Sequence, residues 1–293
     1  MSAQSVLLLF SIVASCSGLP CNIFISIICG RTWIKDGFPG SVDLILLALG
    51  SAQVLLQMSQ LVTSMLLVLR PDCFLYGDFC SIYLYNFVHS SIFFVSCMVS
   101  SLCMFYSIKI VSFQGSLLIL LKSRLSAWLP WLIVSSLVLS CIFFFALSYV
   151  NLMMDGDHRL NITMSSSMDV ALVSNSLNAV LLLPFFLILV LLGSIVTSLA
   201  QHALSLSHLH YGHLKAHVGA ARTMILLLVL NVFFHLSQIT FVLELSESSV
   251  WRWLSLIFYY FFCPLQTWTL VLGNKKLNFI SELIGFMRRK LPF

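Results

Sequence analysis

Charged side chains are scarce in this sequence. Fifteen Lys and Arg and ten Asp and Glu make up 9% of its 293 residues. A soluble domain carries about 25%, so this chain could not cover a folded, water-exposed surface. That excludes cytosolic enzymes, disordered regulators and coiled coils. A net charge of +5 spread over so much apolar surface is no phosphate-tracking stripe, which excludes nucleic-acid binding. Other absences narrow the choice. HExxH, GxSxG, a P-loop and a dinucleotide fingerprint are all missing, so neither catalysis nor a cofactor is expected. Segments of about 10 residues alternating in polarity, the mark of an outer-membrane barrel, are missing too. Mid-span ionisable groups and paired repeats with interrupted helices would mark a transporter. Here Asp43 and Asp169 sit only at span ends.

What is present is apolar: 60% of the residues are hydrophobic, with 24 Phe. A helix crosses the hydrocarbon core in about 20 residues. Seven stretches qualify, approximately Gln4–Ile28, Val42–Leu69, Phe79–Ile108, Ala127–Val150, Ala171–Leu199, Ala221–Leu243 and Trp251–Leu272. They are expected to break at short segments such as Arg31–Asp36, Arg70–Asp72 and Lys122–Arg124. Met1–Gly18 lacks a basic start and runs on to Ile28, so it reads as part of the first span and not as a signal peptide. The expected organisation is a bundle over 1–276 and a juxtamembrane tail over 277–293. In that tail, apolar residues at 279, 280, 283, 284, 286 and 287 precede Arg288, Arg289 and Lys290, the pattern of a short amphipathic helix on an anionic lipid leaflet.

Orientation follows from the few charges. The segments after spans one, three and five, together with the tail, hold 12 of the 15 basic residues. The opposite side holds Arg70, Arg159 and Arg252, and most of the acids. The positive-inside rule therefore places the N-terminus outside and the C-terminus in the cytoplasm, as a multi-pass plasma-membrane protein. Asn161-Ile-Thr163 is then an N-glycosylation acceptor in the longest outer loop. Most of the nine Cys lie within spans as small apolar packers. Cys73 and Cys80 flank an outer loop, and the sequence leaves their pairing open.

His202, His208, His210, His213 and His217 cluster near the third inner loop. They fall on several faces with no carboxylate among them, which favours a partner-facing loop over a metal site. Within the spans the polar groups are neutral: Asn22, Gln53, Gln57, Asn86, His89, Asn175, Asn178, Asn231, His235 and Gln266. Interhelical hydrogen bonds would account for each of them. Those in the outer half could also line a cavity walled by Phe87, Phe93, Phe94, Phe234, Phe241, Tyr259 and Tyr260, suited to apolar or weakly polar small molecules. Seven helices, short loops, an outer N-terminus and a basic inner face form the profile of a G-protein-coupled receptor, an all-α seven-transmembrane helix bundle. An odorant- or pheromone-type receptor remains the alternative, with a small-molecule transporter behind it.

Motifs sharpen that profile. Phe105-Tyr106-Ser-Ile-Lys109-Ile110-Val-Ser-Phe113 resembles the FYxxKIAxF signature of the type 2 (bitter) taste receptors. Gly18 and Asn22, Trp33, Pro184-Phe185, Ser198-Leu199-Ala-Gln-His202, the His217, Ala220 and Thr223 set, and Leu270-Val-Leu-Gly-Asn274-Lys275-Lys276-Leu277 are similar to further elements of that family, in order along the whole chain. The chain also departs from it. Gln53 stands where the family usually has Arg, and Gln266-Thr267 where it has His-Ser. Cys97 replaces a third-span Trp, and Val88 and Ile92 replace the Trp and Asn that often line the family's pocket. These changes suggest a divergent branch, a non-mammalian lineage being one reading, with a more apolar cavity.

The resemblance implies an extracellular small-molecule agonist contacting His89, Ile92, Phe93, Asn175, Phe234, His235, Leu256 and Tyr260. It also implies that Tyr106, Lys109, His202 and Lys215 receive a heterotrimeric G protein of the gustducin or other Gi type. Asn161 sits where these receptors usually carry a glycan.

Overall fold

The computed structural model describes residues 3–37, 40–70, 79–110, 116–160, 186, 189–190, 193, 197, 211–242 and 249–273. All of these except Gly37, Gly40 and Arg70 are helical, and no strand occurs among the described residues. Six helices follow one another: α1 (Ala3–Asp36), α2 (Ser41–Leu69), α3 (Phe79–Ile110), α4 (Ser116–Leu160), α5 (Tyr211–Val242) and α6 (Ser249–Gly273). Five contain stretches long and apolar enough to cross a membrane: Ser5–Lys35, Ser41–Leu69, Ile82–Tyr106, Ala127–Tyr149 and Trp253–Gly273. A sixth apolar stretch, Arg222–Ser237, is shorter. The chain is an all-α, multi-span membrane protein. Of the expected fifth span, Phe186, Leu189, Val190, Gly193 and Thr197 are described, and all five are helical. The tail expected to form an amphipathic helix lies outside the described residues.

Two segments expected to interrupt the spans are helical instead. α1 runs through Arg31–Asp36 and α4 through Lys122–Arg124, and α5 starts at Tyr211, ahead of the expected start of its span at Ala221. Lys and Arg are good helix formers, and a helix needs no break to leave the bilayer. At 45 residues, α4 is about 68 Å long, longer than the full bilayer. The true stop of α1 is Gly37, whose φ of 72° suits a residue without a side chain. Its N–H bonds the Trp33 carbonyl at 3.1 Å, one of the orphan carbonyls of the last turn.

α1 packs on α2 and α6, α2 also on α3, α3 on α4, and α5 on α6. The main core joins Ile25, Leu49, Leu56, Ile92, Met98, Leu102, Leu129, Met224, Phe234 and Phe262. Trp131, Val134, Leu137, Val138, Ile142 and Phe145 of α4 are exposed, as lipid-facing side chains should be. The opposite stripe of α4 sets Ser136, Ser140 and Ser148 among Leu129, Phe143 and Leu147, all buried. Ser140 donates to the Ser90 carbonyl at 2.7 Å, and Asn86 to Ser148 at 3.1 Å, tying α4 to α3. Between α1 and α2 the approach is closer still: a Cβ on Gly50 would lie 2.8 Å from Ser26 Oγ and 3.2 Å from the Asn22 carbonyl. Small residues at such crossings let backbones meet, since lipid supplies no hydrophobic drive between helices.

Candidate functional site

Two ends of the bundle can be named by α6, the Trp253 end and the Gly273 end. α5 runs antiparallel to α6, because Phe234 stacks on Phe262 at 3.9 Å while Thr223 abuts Gly273. α6 runs parallel to α1, with Phe10 against Trp253 and Thr267 against Asn22.

Toward the Trp253 end, α2, α3, α5 and α6 assemble rings and neutral polar groups. Phe234 lies at the centre, 1% exposed, stacked on Phe262 and more loosely on Tyr259 at 6.5 Å. Its neighbour His235 is buried as well. Tyr259 meets Tyr260 edge-on at 5.3 Å, and the Tyr260 hydroxyl lies 3.0 Å from Ser64 Oγ on α2. The Tyr259 hydroxyl is hydrogen-bonded to Gln60, also on α2. On α3, His89 is buried against the ring of Tyr85, with centroids 4.3 Å apart. Among the described buried residues of the protein there is no Asp, Glu, Lys or Arg.

Of the residues expected to contact a ligand, Ile92 and Phe234 share the main core and Tyr260 lies beside Tyr259, which stacks on Phe234. Leu256 is half-buried one turn nearer the Trp253 end of α6. Phe93 faces elsewhere. It stacks on Phe143 of α4 at 5.3 Å and joins Leu147 in a separate small cluster. Asn175 lies outside the described residues.

Gln60 and Ser64 are new to the site. A signal for them does exist: Gln53, Gln57, Gln60 and Ser64 recur at helical spacing on one face of α2, and all four are buried. A polar stripe on an otherwise apolar helix must face protein.

At mid-bundle that same stripe meets α1 and α6. Gln53 Nε2 donates to Gln266 Oε1 at 2.5 Å, and Asn22 Nδ2 to Gln57 Oε1 at 3.5 Å. The Thr267 hydroxyl lies 2.8 Å from Asn22 Oδ1 and 2.9 Å from Gln53 Oε1. Gln53 and Gln266, two positions at which the sequence departs from the taste-receptor pattern, therefore face each other.

At the Gly273 end, Tyr106 is half-buried, packed against the core and within reach of the Asp43 charge on α2. Lys109 and Lys215 are placed on the helical backbones of α3 and α5. His202 and Asn161 lie outside the described residues, as does Cys73 of the Cys73–Cys80 pair. No group of three or more metal-ligating side chains occurs among the described residues.

Comparison with known proteins gives this arrangement a family. Residues 1–285 match the family model described as "Taste receptor protein (TAS2R)". The chain is 29% identical to taste receptor type 2 member 7 of Papio hamadryas over 94% of its own length and 91% of that protein's. It is 26% identical to member 41 of Pan paniscus, covering 97% and 95%, and 25% identical to member 16 of Pongo pygmaeus, covering 86% and 88%. At such identities a divergent member is expected to keep the architecture and vary the pocket. This chain belongs to the taste receptor type 2 family, and so is a chemosensory membrane receptor of the G-protein-coupled kind and not an enzyme.

Proposed function

We propose that the protein is a bitter taste receptor with the full complement of seven spans, its N-terminus outside and its C-terminus in the cytoplasm. It takes small, largely apolar molecules from the extracellular side. It passes the signal to gustducin or another Gi-type G protein. The observation that carries this reading is the uncharged, ring-rich layer around Phe234, His235, Tyr259, Tyr260 and His89 in a chain of this family. Such a layer suits neutral molecules. An amine or a nucleotide would want a counter-charge in the pocket.

The mechanism follows from where Phe234 sits. It is on α5, and its ring is held against α6 by Phe262. A ligand wedged between α3 and α6 would press on Phe234 and His235, favouring the conformer in which α5 swings away at the Gly273 end. That is a population shift driven by differential affinity for the two conformers. Tyr106, Lys109, His202 and Lys215 would then flank the opening that admits the C-terminal helix of Gα. His89, Ile92, Asn175, Phe234, His235, Leu256 and Tyr260 are the proposed ligand contacts, and Asn161 the glycosylated residue.

The test is a calcium or cAMP readout in cells expressing the receptor with a promiscuous Gα, screened with a broad panel of bitter compounds. Responses confined to apolar, uncharged compounds are expected. Silence across the panel at verified surface expression would count against the reading. Lys109→Ala should lose coupling to a native Gi-type partner, and normal signalling would remove Lys109 from that face. Asn161→Gln should abolish a glycosidase-sensitive mobility shift, which also tests the orientation.

A further inference from the structure

A glycine at the end of a helix often supplies a left-handed turn, and Gly37 does so for α1. Gly273, the last residue of α6, does not, since Gly37 is the one glycine of positive φ among the described residues. What Gly273 supplies is the lack of a side chain. A Cβ there would lie 2.8 Å from the Cβ of Thr223 on α5, well inside the roughly 3.5–4.0 Å at which two carbons rest. Thr223 Oγ1 and Cγ2 would crowd it as well. Turning the threonine side chain gives no relief, because its Cβ moves only with the backbone of α5. The approach of α5 to α6 at this end therefore depends on Gly273 having no Cβ.

The next residue fixes the direction in which α5 can yield. Met224 meets Cys103 of α3 at 3.5 Å, sulfur to sulfur, and both residues are 1% exposed. α5 is thus held by α6 at one residue and by α3 at the following one. Ile225, Leu226 and Val229 lie on the opposite side of the helix and are exposed, so lipid covers them. Crowding at Thr223 cannot drive α5 further onto α3, where the interior is full. It moves α5 outward, where lipid gives way. We propose that Gly273 and Thr223 are positioning residues of the signalling switch: their close approach holds α5 against α6 and keeps the receptor silent until a ligand acts. The consequence for signalling rests on the G-protein-coupled mechanism proposed above; the contact itself does not. Gly50 lets α1 meet α2, two helices of which no motion is asked. Gly273 gives a resting place to the helix that the mechanism moves.

The test adds a methyl group and then makes room for it. G273A places no strain on the α6 backbone, and alanine is the better helix former. In cells with a promiscuous Gα, at matched surface expression and without agonist, G273A should signal about fivefold or more above wild type, because the methyl crowds the closed conformer alone. G273A/T223A should stay raised, since alanine keeps the Cβ. G273A/T223G should fall back toward wild type. G50A, which crowds Ser26 within the frame of α1 and α2, should leave basal signalling where it is. Hydrogen–deuterium exchange of the purified receptor in nanodiscs reads the same event without a G protein: the amides around Thr223 should exchange faster in G273A than in wild type. Faster exchange in a receptor that stays silent would uphold the contact and count against the coupling mechanism. Unchanged exchange in G273A, raised signalling that G273A/T223G fails to bring down, or an equal rise in G50A would overturn the proposal.

Discussion

α6 is held differently on its two sides. Toward α1 and α2 it is bonded directly: Gln266 to Gln53, and Thr267 beside Asn22 and Gln53, with α1 and α2 pressed together at Gly50. The other side is joined by rings and small groups instead of amides. α5 meets α6 through stacked rings and the close approach of Thr223 to Gly273, and its core residues meet α3 at contacts that include the sulfur pair of Cys103 and Met224. Within a membrane, helices gain nothing from hiding apolar surface that lipid would cover equally well, so close packing and hydrogen bonds decide which contacts last. α1, α2 and α6 therefore form an amide-bonded frame, and α5, which no bond of that amide network reaches, is the element that the proposed mechanism asks to move. A receptor needs both: a frame that keeps the pocket's shape, and one helix whose position reports on what fills it.

The contrast is broken most forcefully at Gly50. In G50V the Cβ would crowd the Asn22 carbonyl, and Ser26 cannot step aside without releasing its own 2.9 Å bond to that carbonyl. Overpacking of this kind costs about 3 kcal/mol. The melting temperature of the purified receptor should fall more for G50V than for any other variant named here. Gln53 comes next. Q53L leaves the Gln266 amide oxygen short of its donor, while Thr267 keeps Asn22 and the Cys263 carbonyl, and interhelical hydrogen bonds in membranes contribute up to about 1.7 kcal/mol. The double variant Q53L/Q266L should recover part of that loss, because no amide is then left facing a leucine. If Q53L is silent in thermal unfolding, the frame rests on packing alone and the contrast between the two sides disappears.

Much of this frame is legible in the amino-acid sequence. Asn22, Gln53, Gln57 and Gln266 stand out because each is polar where its surroundings are apolar, and membrane physics requires such groups to find partners. Which partner each finds depends on how helices far apart in sequence come together, as Gln53 and Gln266 do. The sequence has no local signal for that. Faces are harder to read than the need for a partner. Helices apolar all round show no stripe to separate lipid from core, so the sequence pattern groups Phe93 with Phe234, although its ring lies on Phe143 of α4. Helix ends mislead for another reason. Charges at Arg31 and Lys122 mark where the chain leaves hydrocarbon, and a helix crosses that boundary without breaking.

Smaller effects sharpen the contrast from the other side. Y260F removes the hydroxyl that lies 3.0 Å from Ser64, a bond between α6 and α2 near the proposed ligand layer. Such bonds average about 0.6 kcal/mol in a bilayer. Its melting temperature should drop slightly, and agonist potency should change if the ring is a ligand contact.

The least effect on stability is expected from M224L. Leu keeps the volume of Met, and such swaps are the best tolerated in packed interiors. Only the sulfur contact with Cys103 is lost, and that is worth less than the Tyr260 bond, about 0.5 kcal/mol or below. Signalling should respond more than stability does. Met224 is a point at which α5 touches α3 at the Gly273 end, so weakening it should favour the conformer with α5 displaced. Raised agonist-independent signalling at a nearly unchanged melting temperature is the expected pair of results. A melting-temperature loss as large as that of Q53L would show that α5 is held as firmly as the frame, and the motion assigned to it would have to be sought in another helix.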